Sequence, residues 1–300
     1  MTPRHMLVVA HTGRPDALNA GVQVCEQLLG AGLTPVVSSV QKSDFLNAGV
    51  TQVNELGRDV PLDDIELTIV LGGDGTILAA AELTRGSRAP LLGINHGHVG
   101  FLAESERDDL AWTVTQALAL EYDVDERLVL DVSVVHQGRE VFHTFAINEA
   151  SVEKASRARM IEVGLEVDGR PLSTFGADGV VMATPTGSTA YSFSAGGPVV
   201  WPEVEALLMV PLSAHALFAR PLVVGPGSVL AVEILERSTG SGVLWCDGRR
   251  SFEVPQGARV VAKASEHPVR LARLHPGPFT DRLVQKFSLP VTGWRGPGNK

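Results

Sequence analysis

The chain is 300 residues long, 44% hydrophobic and 20% charged, with 31 glycines and 18 prolines, the proportions of an ordinary globular protein of about two domains rather than a disordered one. With 34 acidic against 25 basic residues its net charge is −9, which argues against broad binding to nucleic acid or an anionic membrane but not against one small anionic ligand. Cys25 and Cys246 make neither a disulfide framework nor a zinc pattern and fit a reducing compartment. No apolar run approaches the ~20 residues of a membrane span, and the start, Met1 to His5, runs into a strand-like Leu7–Ala10 instead of a signal peptide, so a cytoplasmic location is expected.

The first ~125 residues alternate strand and helix signals, the rhythm of a mostly parallel sheet covered by helices. After Leu7–Ala10, Pro15 opens a helix with Leu18, Val22, Cys25, Leu28 and Leu29 on one stripe, closed by Gly30 and Gly32. Leu33–Val40 reads as β. Ile65–Leu71 is the clearest strand and runs into Gly72-Gly73-Asp74-Gly75, after which Thr76–Thr84 is helical. Pro90–Asn95 is another strand. Ser105 with Asp108 three residues on makes a capping signature for a helix through Leu110, Val114, Ala117 and Leu118.

From about Leu128 the period changes to two. Leu128–Val135 and Val141–Ile147 read as a hairpin across Gln137-Gly138, and Ile161–Val167 alternates up to the turn pair Asp168-Gly169. Val229–Leu235, Val243–Cys246, Phe252–Val254, Arg259–Ala262 and Val269–Leu274 continue as short strands. The expected division is an α/β domain over 1–125, an antiparallel β-rich domain over 126–275, and a tail over 276–300 with a helical patch at Thr280–Phe287 and a frayed end.

There is no G-x-x-x-x-G-K-S/T phosphate loop, no G-x-G-x-x-G fingerprint and no G-x-S-x-G elbow. His96 and His98 are two apart in a glycine-rich loop, but with no third ligand candidate beside them a solvated pair is the better reading than a metal site. Gly72-Gly73-Asp74-Gly75-Thr76 stands at the C-terminal end of a parallel strand and opens a helix, where ligands bind in open α/β sheets. Glycines there let backbone N–H groups approach an anion; the alternative is a tight turn with Asp74 as N-cap. A second glycine-rich loop, Gly93–Leu102, follows the next strand. In the β-rich part Asn148-Glu149 offers an amide beside a carboxylate, either to read hydroxyls and a base edge or simply as a turn. Asp178–Pro198 then ends an apolar strand in a loop dense with Thr, Ser and Gly, whose hydroxyls and N–H groups suit ribose and phosphate.

Taken together, GGDGT, GINHGHVGFLAE, the NE pair, DGVVMATPTGSTAYSFSAGGP and CDGRR resemble the NAD kinase family in order and spacing, and the ending FTDRLVQKFSLPVTGWRG is similar to its actinobacterial branch. The resemblance spans His11 to Gly296. It implies that Asp74 is the general base for the ribose 2′-hydroxyl, with Gly75 beside it at the dinucleotide. It implies that Asn148 and Glu149 bind the adenosine part, that Asp178 lies near the other end, and that Thr189, Ala190, Tyr191, Ser192, Phe193 and Ser194 line the pocket. Arg159 is a weaker match to a basic contact. Three positions depart from common family patterns: Ala79 and Gly176 stand where arginine is frequent, and Arg249 where glutamine is.

The function so implied is transfer of the terminal phosphoryl group of ATP, with inorganic polyphosphate as an alternative donor, to the adenosine 2′-hydroxyl of NAD, giving NADP and setting the balance of the two. Phosphoryl transfer asks for positioning and charge neutralisation more than for covalent chemistry. Magnesium or manganese would be held by the donor's phosphates and water, so no protein metal ligand is named. The resemblance also implies a homo-oligomer, dimer or tetramer, with the β-rich domain as interface, and neither nucleic acid nor membrane as partner. The rivals are a lipid or sugar kinase of the same superfamily, for which a membrane-binding face is missing, and a non-catalytic dinucleotide sensor, which would not need an acid within GGDG.

Overall fold

The computed structural model of the chain describes residues 4–95, 100–103, 105–106, 110–217, 219–274 and 277–291. The chain forms two compact units, one of residues 1–126 with 269–300, the other of residues 127–268.

In the first unit the chain runs β1 (His5–Ala10), α1 (Pro15–Gly30), β2 (Val36–Val37), α2 (Ser39–Asn47), β3 (Asn54–Glu55), β4 (Ile65–Leu71), α3 (Asp74–Leu83), β5 (Leu91–Asn95), β6 (Ser105–Glu106), α4 (Leu110–Ala119) and β7 (Asp123–Arg127). The strand order is β3-β2-β1-β4-β5, with β1, β2, β3, β4 and β5 paired in parallel and β6 beside β5. β1 and β4 are almost wholly apolar because both faces of this sheet are covered.

Three local expectations are corrected here. Val36–Val37 is all that remains of the strand read at Leu33–Val40, because Ser39 already opens α2 and leaves Val40 largely in water. In α1 the buried line is Ala17, Ala20, Gly21, Val24, Cys25 and Leu28; small residues let the helix lie close to its neighbours, so Leu18 and Val22 fall on the flank. Ser105 does not start a helix, because its backbone pairs in parallel with Ile94 and α4 begins only at Leu110; Asp108, the other half of that signature, lies outside the described residues.

The second unit holds β8 (Leu130–His136), β9 (Arg139–Ala146), β10 (Glu149–Lys154), β11 (Ile161–Val167), β12 (Arg170–Ala177), β13 (Gly179–Ala183), the short helix α5 (Tyr191–Ser194), β14 (Leu207–Leu212), β15 (Leu222–Val224), β16 (Leu230–Ile234), β17 (Gly242–Cys246), β18 (Arg250–Val254) and β19 (Arg259–Ala264). They make two antiparallel six-stranded sheets, β15-β14-β13-β10-β17-β18 and β12-β11-β16-β19-β8-β9. The inward residues of both share one core: Leu130, Val132 and Val134 from one sheet with Val152, Val180, Met182 and Leu244 from the other. β14 escaped the sequence reading because Pro211 interrupts it; the proline lies opposite Val180 beyond the reach of β15, whose pairing stops at Leu207–Met209, so its missing N–H breaks no ladder on that side.

After Pro268 the chain returns to the first unit. β20 (Val269–Arg273), read as a strand of the β-rich domain, pairs in parallel with β5 instead, and α6 (Phe279–Phe287) follows. The end read as frayed, residues 292–300, lies outside the described residues. Cys25 and Cys246 are both buried and free, and burial pushes each thiol up to about 12. Among the described residues no helix is long and apolar enough to cross a membrane.

Phe45 is the one buried residue of α2, and a Cβ on Gly21 of α1 would come within 2.9 Å of its ring. Removing a fully buried ring costs about 3–5 kcal/mol. Phe45→Ala should therefore destabilise the first unit by that much, read as a lower urea midpoint at unchanged slope, and an unchanged midpoint would show that α2 is docked by other contacts.

Candidate functional site

In the first unit the candidate residues sit at the carboxyl edge of the parallel sheet. β4 ends at Leu71, and Gly72-Gly73 turn the chain into α3, of which Asp74 is the first residue. The N-cap is Gly73 and Asp74 is already the first helical residue, so the reading of Asp74 as N-cap is corrected. Its carboxylate turns instead to the second glycine-rich loop. The Phe101 N–H donates to Oδ2 at 3.1 Å and the Leu102 N–H to Oδ1 at 3.2 Å. A Cβ on Gly100 would collide with Oδ1, so glycine is what lets this backbone come so near. Among the described residues each oxygen accepts one N–H, which fills two of the roughly four lone-pair sites of a carboxylate. The start of α3 adds a favourable partial positive charge. Gly75, one residue on, is exposed. His96 and His98 lie outside the described residues.

In the second unit Asn148-Glu149 is held by a pair the sequence reading did not single out. Asp247, in the turn between β17 and β18, has a side chain only 1% exposed. It accepts the N–H groups of Ile147 (3.0 Å) and Asn148 (2.7 Å), and its own N–H donates to the Glu149 carbonyl at 3.0 Å. Arg250 closes the cluster, donating to Asp247 Oδ2 at 2.8 Å, Phe145 O at 2.7 Å and Thr144 Oγ1 at 3.0 Å, with its guanidinium 4.0 Å from the Phe145 ring centroid. Burial pushes the Asp247 carboxyl up, against the N–H groups and Arg250, which pull it down. Asp247 and Gly248 both have the positive φ of a tight hairpin turn, and only the structure shows the aspartate pointing inward.

Glu149 is 8% exposed, and among the described residues its hydrogen-bond donor is the Tyr191 N–H, at 3.4 Å from Oε2. Burial first and the Asp247 charge second push its carboxyl up to about 7, while the Tyr191 N–H pulls the other way. The loop after β13 comes against the same turn. Thr184 Oγ1 donates to Ile147 O at 2.6 Å and accepts the Gly187 N–H at 3.1 Å. A Cβ on Gly187 would run into the Asn148 carbonyl, which accounts for the glycine in this Thr-Pro-Thr-Gly-Ser-Thr run.

The hydroxyls of that loop were expected to face a ligand. Several serve the loop itself, because a tight turn leaves backbone groups that sheet pairing does not reach: Thr184 as above, Ser188 with the Val200 N–H and carbonyl (2.9 and 3.2 Å), and Thr189 with Thr186 O (3.3 Å). Along the strip, Thr189 and Ala190 are half-buried and Ser192 is fully buried, whereas Tyr191, Phe193 and Ser194 are exposed. Asp178, just before β13, pairs with Lys154 at 2.5 Å, and that hydrogen bond holds its carboxyl below the usual range. Arg159 is exposed on the connection from β10 to β11 and is not brought to Glu149 or Tyr191 by any hydrogen bond. Of the three departures, Ala79 is half-buried in α3, Gly176 accepts the His215 N–H at 2.8 Å, and Arg249 is exposed in the β17–β18 turn. Among the described residues no three His, Cys, Asp or Glu side chains gather as a metal-ligating group.

Comparison with known proteins gives a consistent answer. Residues 6–122 match the family model of the ATP-NAD kinase N-terminal domain and residues 147–274 that of the ATP-NAD kinase C-terminal domain. The chain is 65% identical over 299 residues to the NAD kinase of Leifsonia xyli subsp. xyli, covering 99% of this chain and 98% of that one. It is 56% identical over 296 residues to NAD kinase 2 of Streptomyces coelicolor, covering 98% and 97%. Among solved structures, yeast NADH kinase in complex with NADH superposes with a TM-score of 0.86 at 21% identity, over 99% of this chain and 90% of that one. An NAD kinase from Archaeoglobus fulgidus in complex with ATP gives 0.71 at 24% identity, over 96% and 100%; at these identities the two structures speak for the fold.

The raised Glu149 carboxyl has a consequence for stability. The folded protein holds the proton more tightly than the unfolded chain, so this residue favours folding below its ordinary 4.5 and that contribution is lost as the pH rises through about 7. Glu149→Gln, which is neutral throughout, should gain stability over the wild type between pH 5 and pH 8, by a total on the order of 3 kcal/mol. Urea midpoints at the two pH values measure it, and an equal offset at both would refute a proton on Glu149.

Proposed function

The chain belongs to the ATP-NAD kinase family, and we propose that it transfers the γ-phosphoryl group of ATP to the adenosine 2′-hydroxyl of NAD, yielding NADP and ADP. The observation that carries the reading is similarity along the full chain to relatives that bear the name NAD kinase. The site geometry supplies the chemistry.

In this reading the Asp74 carboxylate accepts the 2′-hydroxyl proton on another of its lone-pair sites, while its bonds to Phe101 and Leu102 keep it aimed. The ribose oxygen forms its bond to the γ-phosphorus, and the bond to the β–γ bridging oxygen breaks with ADP as leaving group. Gly75, exposed beside Asp74, lets the dinucleotide approach the backbone. Asn148 and Glu149, fixed by Asp247, bind the adenosine part; Tyr191, Phe193 and Ser194 present the exposed side of the strip, with Thr189 and Ala190 at its margin and Ser192 beneath it. Asp178 and Arg159 are assigned the outer end of the ligand. A divalent cation, magnesium or manganese, would arrive on the triphosphate, ligated by its oxygens and water, and neutralise charge on the donor. ATP is the donor of this reading, and polyphosphate in its place is the variation to assay beside it.

We further infer a homo-oligomer built through the second unit, where Trp245 on β17 is 40% exposed and β18 is an edge strand of its sheet among the described residues. Light scattering at micromolar concentration should give a multiple of the 31.8 kDa chain; the monomer alone would exclude it.

The central experiment incubates the protein with ATP, magnesium and NAD and assays NADP with an NADP-specific dehydrogenase; no NADP above a protein-free control overturns the reading. Asp74→Asn should fold, since the amide oxygen still accepts one of the two N–H groups and the loss of the other costs about 1 kcal/mol. Without a base its kcat should fall ~10²–10⁴-fold while NAD affinity changes little. A kcat within about threefold of wild type would remove the catalytic role.

A further inference from the structure

Asp74 is held by a short segment that is itself held from behind. The Leu102 N–H that donates to Asp74 Oδ1 shares a peptide unit with the Phe101 carbonyl. A peptide is planar and trans, so the two groups point in opposite directions from one rigid plate. The Phe101 carbonyl accepts Arg282 Nη1 at 3.2 Å, and the same nitrogen donates to Ala103 O at 2.9 Å. Between them the Leu102 carbonyl accepts Arg273 Nη1 at 3.2 Å. Three consecutive carbonyls are thus fixed by two guanidinium groups, and the N–H groups on the other side are fixed by Asp74.

The element that brings Arg282 there is α6. No residue of this helix is buried; Phe279, Arg282, Leu283 and Phe287, at helical spacing, form its half-buried face. The Phe101 ring lies against that face, 5.7 Å from the Phe279 ring centroid and 6.1 Å from that of Phe287. The helix therefore grips one residue through its side chain and its carbonyl together, and this residue's next peptide carries a donor to Asp74. A helix serving only to cover the sheet needs apolar contact but no fork on two carbonyls of that loop.

We propose that α6 is a clamp, with Arg282 as a positioning residue that aims the Asp74 carboxylate through the 101–102 peptide. The proposal rests on the phosphoryl-transfer reading for its consequence, since the carboxylate so aimed is the base of that reaction. Arg282 touches neither substrate in it and acts only through the backbone. With the fork removed, the peptide is free to rotate, the Leu102 N–H leaves Oδ1, and the carboxylate samples orientations that do not face the hydroxyl. The affected quantity is the rate at saturation, not the binding of either substrate.

The test compares wild type, Arg282→Met, Arg282→Lys and Phe287→Leu. Methionine keeps much of the apolar stem without a donor; lysine supplies N–H donors from one nitrogen, as Nη1 does, but on a shorter stem and without the planar guanidinium. Arg282→Met should lower kcat by about 10–100-fold, as a small misplacement of a reacting group does, with KM for NAD and for ATP each within about threefold. Arg282→Lys should recover part of the rate, and Phe287→Leu should fold with a smaller loss of kcat if Arg282→Met does not fold. Amide exchange of Phe101 and Leu102, read by hydrogen–deuterium exchange, should be slow in wild type and fast in Arg282→Met. A folded Arg282→Met with kcat within threefold, or with raised KM at unchanged kcat, overturns the clamp, as does unchanged exchange. If the wild type makes no NADP, the phosphoryl-transfer reading fails and the catalytic consequence with it, and the exchange data alone decide whether α6 fixes the loop.

Discussion

A carboxylate with almost no contact to water must have its lone pairs filled by the protein, and Asp247 meets that demand with the backbone that carries Asn148 and Glu149. Its oxygens take the N–H groups of Ile147 and Asn148 and a nitrogen of Arg250. Breaking a buried pair of this kind costs about 3–5 kcal/mol, so the turn from β9 into β10 has little freedom to take another shape. The rest of the second unit's candidate site follows from that constraint. With the Asn148 carbonyl fixed, the loop after β13 passes it only where residue 187 lacks a side chain. With the Ile147 carbonyl fixed, the Thr184 hydroxyl has its acceptor, and the 3₁₀ turn Thr186–Thr189 and α5 follow in turn.

How much of this was legible depends on whether a residue's role is local. Strands buried on both faces announce themselves by composition, and Ile65–Leu71 was read to the residue. The hairpin across Gln137-Gly138 was equally plain, because two consecutive residues with positive φ require such a pair. Association at long range was not legible. Val269–Arg273 has the alternation of its neighbours in sequence, and nothing in five residues tells that their partner is Leu91 rather than another strand of the second unit. The extent of α2 was hidden by the two valines that end β2, whose β character reads on into Val40; the signal passed over is Ser38, the N-cap, with Gln41 at capping-box spacing, and Phe45 alone anchors the inner face.

The site shows the same division. Asp74, Asn148 and Glu149 stand in short motifs with unusual glycine or amide neighbours, which is what singles them out in the sequence. Asp247 and Arg250 sit in a motif that was noticed, but their function is to hold a turn 100 residues away in sequence, and a hairpin Asp-Gly accounts for the letters without it. In the loop of Thr, Ser and Gly, Ser188 and Thr189 bond the backbone of their own turn, and Tyr191, Phe193 and Ser194 are the exposed side chains of the strip.

The three acids differ in one respect that decides what each is fit for, namely how many donors the protein gives them. Asp247 receives two backbone N–H groups and a guanidinium with 1% of its side chain exposed; it is saturated, and a saturated carboxylate is a frame. Glu149, nearly as buried, receives a single N–H at 3.4 Å and sits beside that first charge. A buried acid with one weak donor is stabilised best by keeping its own proton, so a carboxyl raised to about 7 can donate as well as accept a hydrogen bond near neutral pH. Asp74 lies between the two. Half-buried, with one N–H on each oxygen among the described residues, it is aimed by the backbone without the guanidinium that saturates Asp247, the condition a general base would have to meet. Burial alone would not separate these roles, since Asp247 and Glu149 are each 8% exposed as residues; the count of donors does.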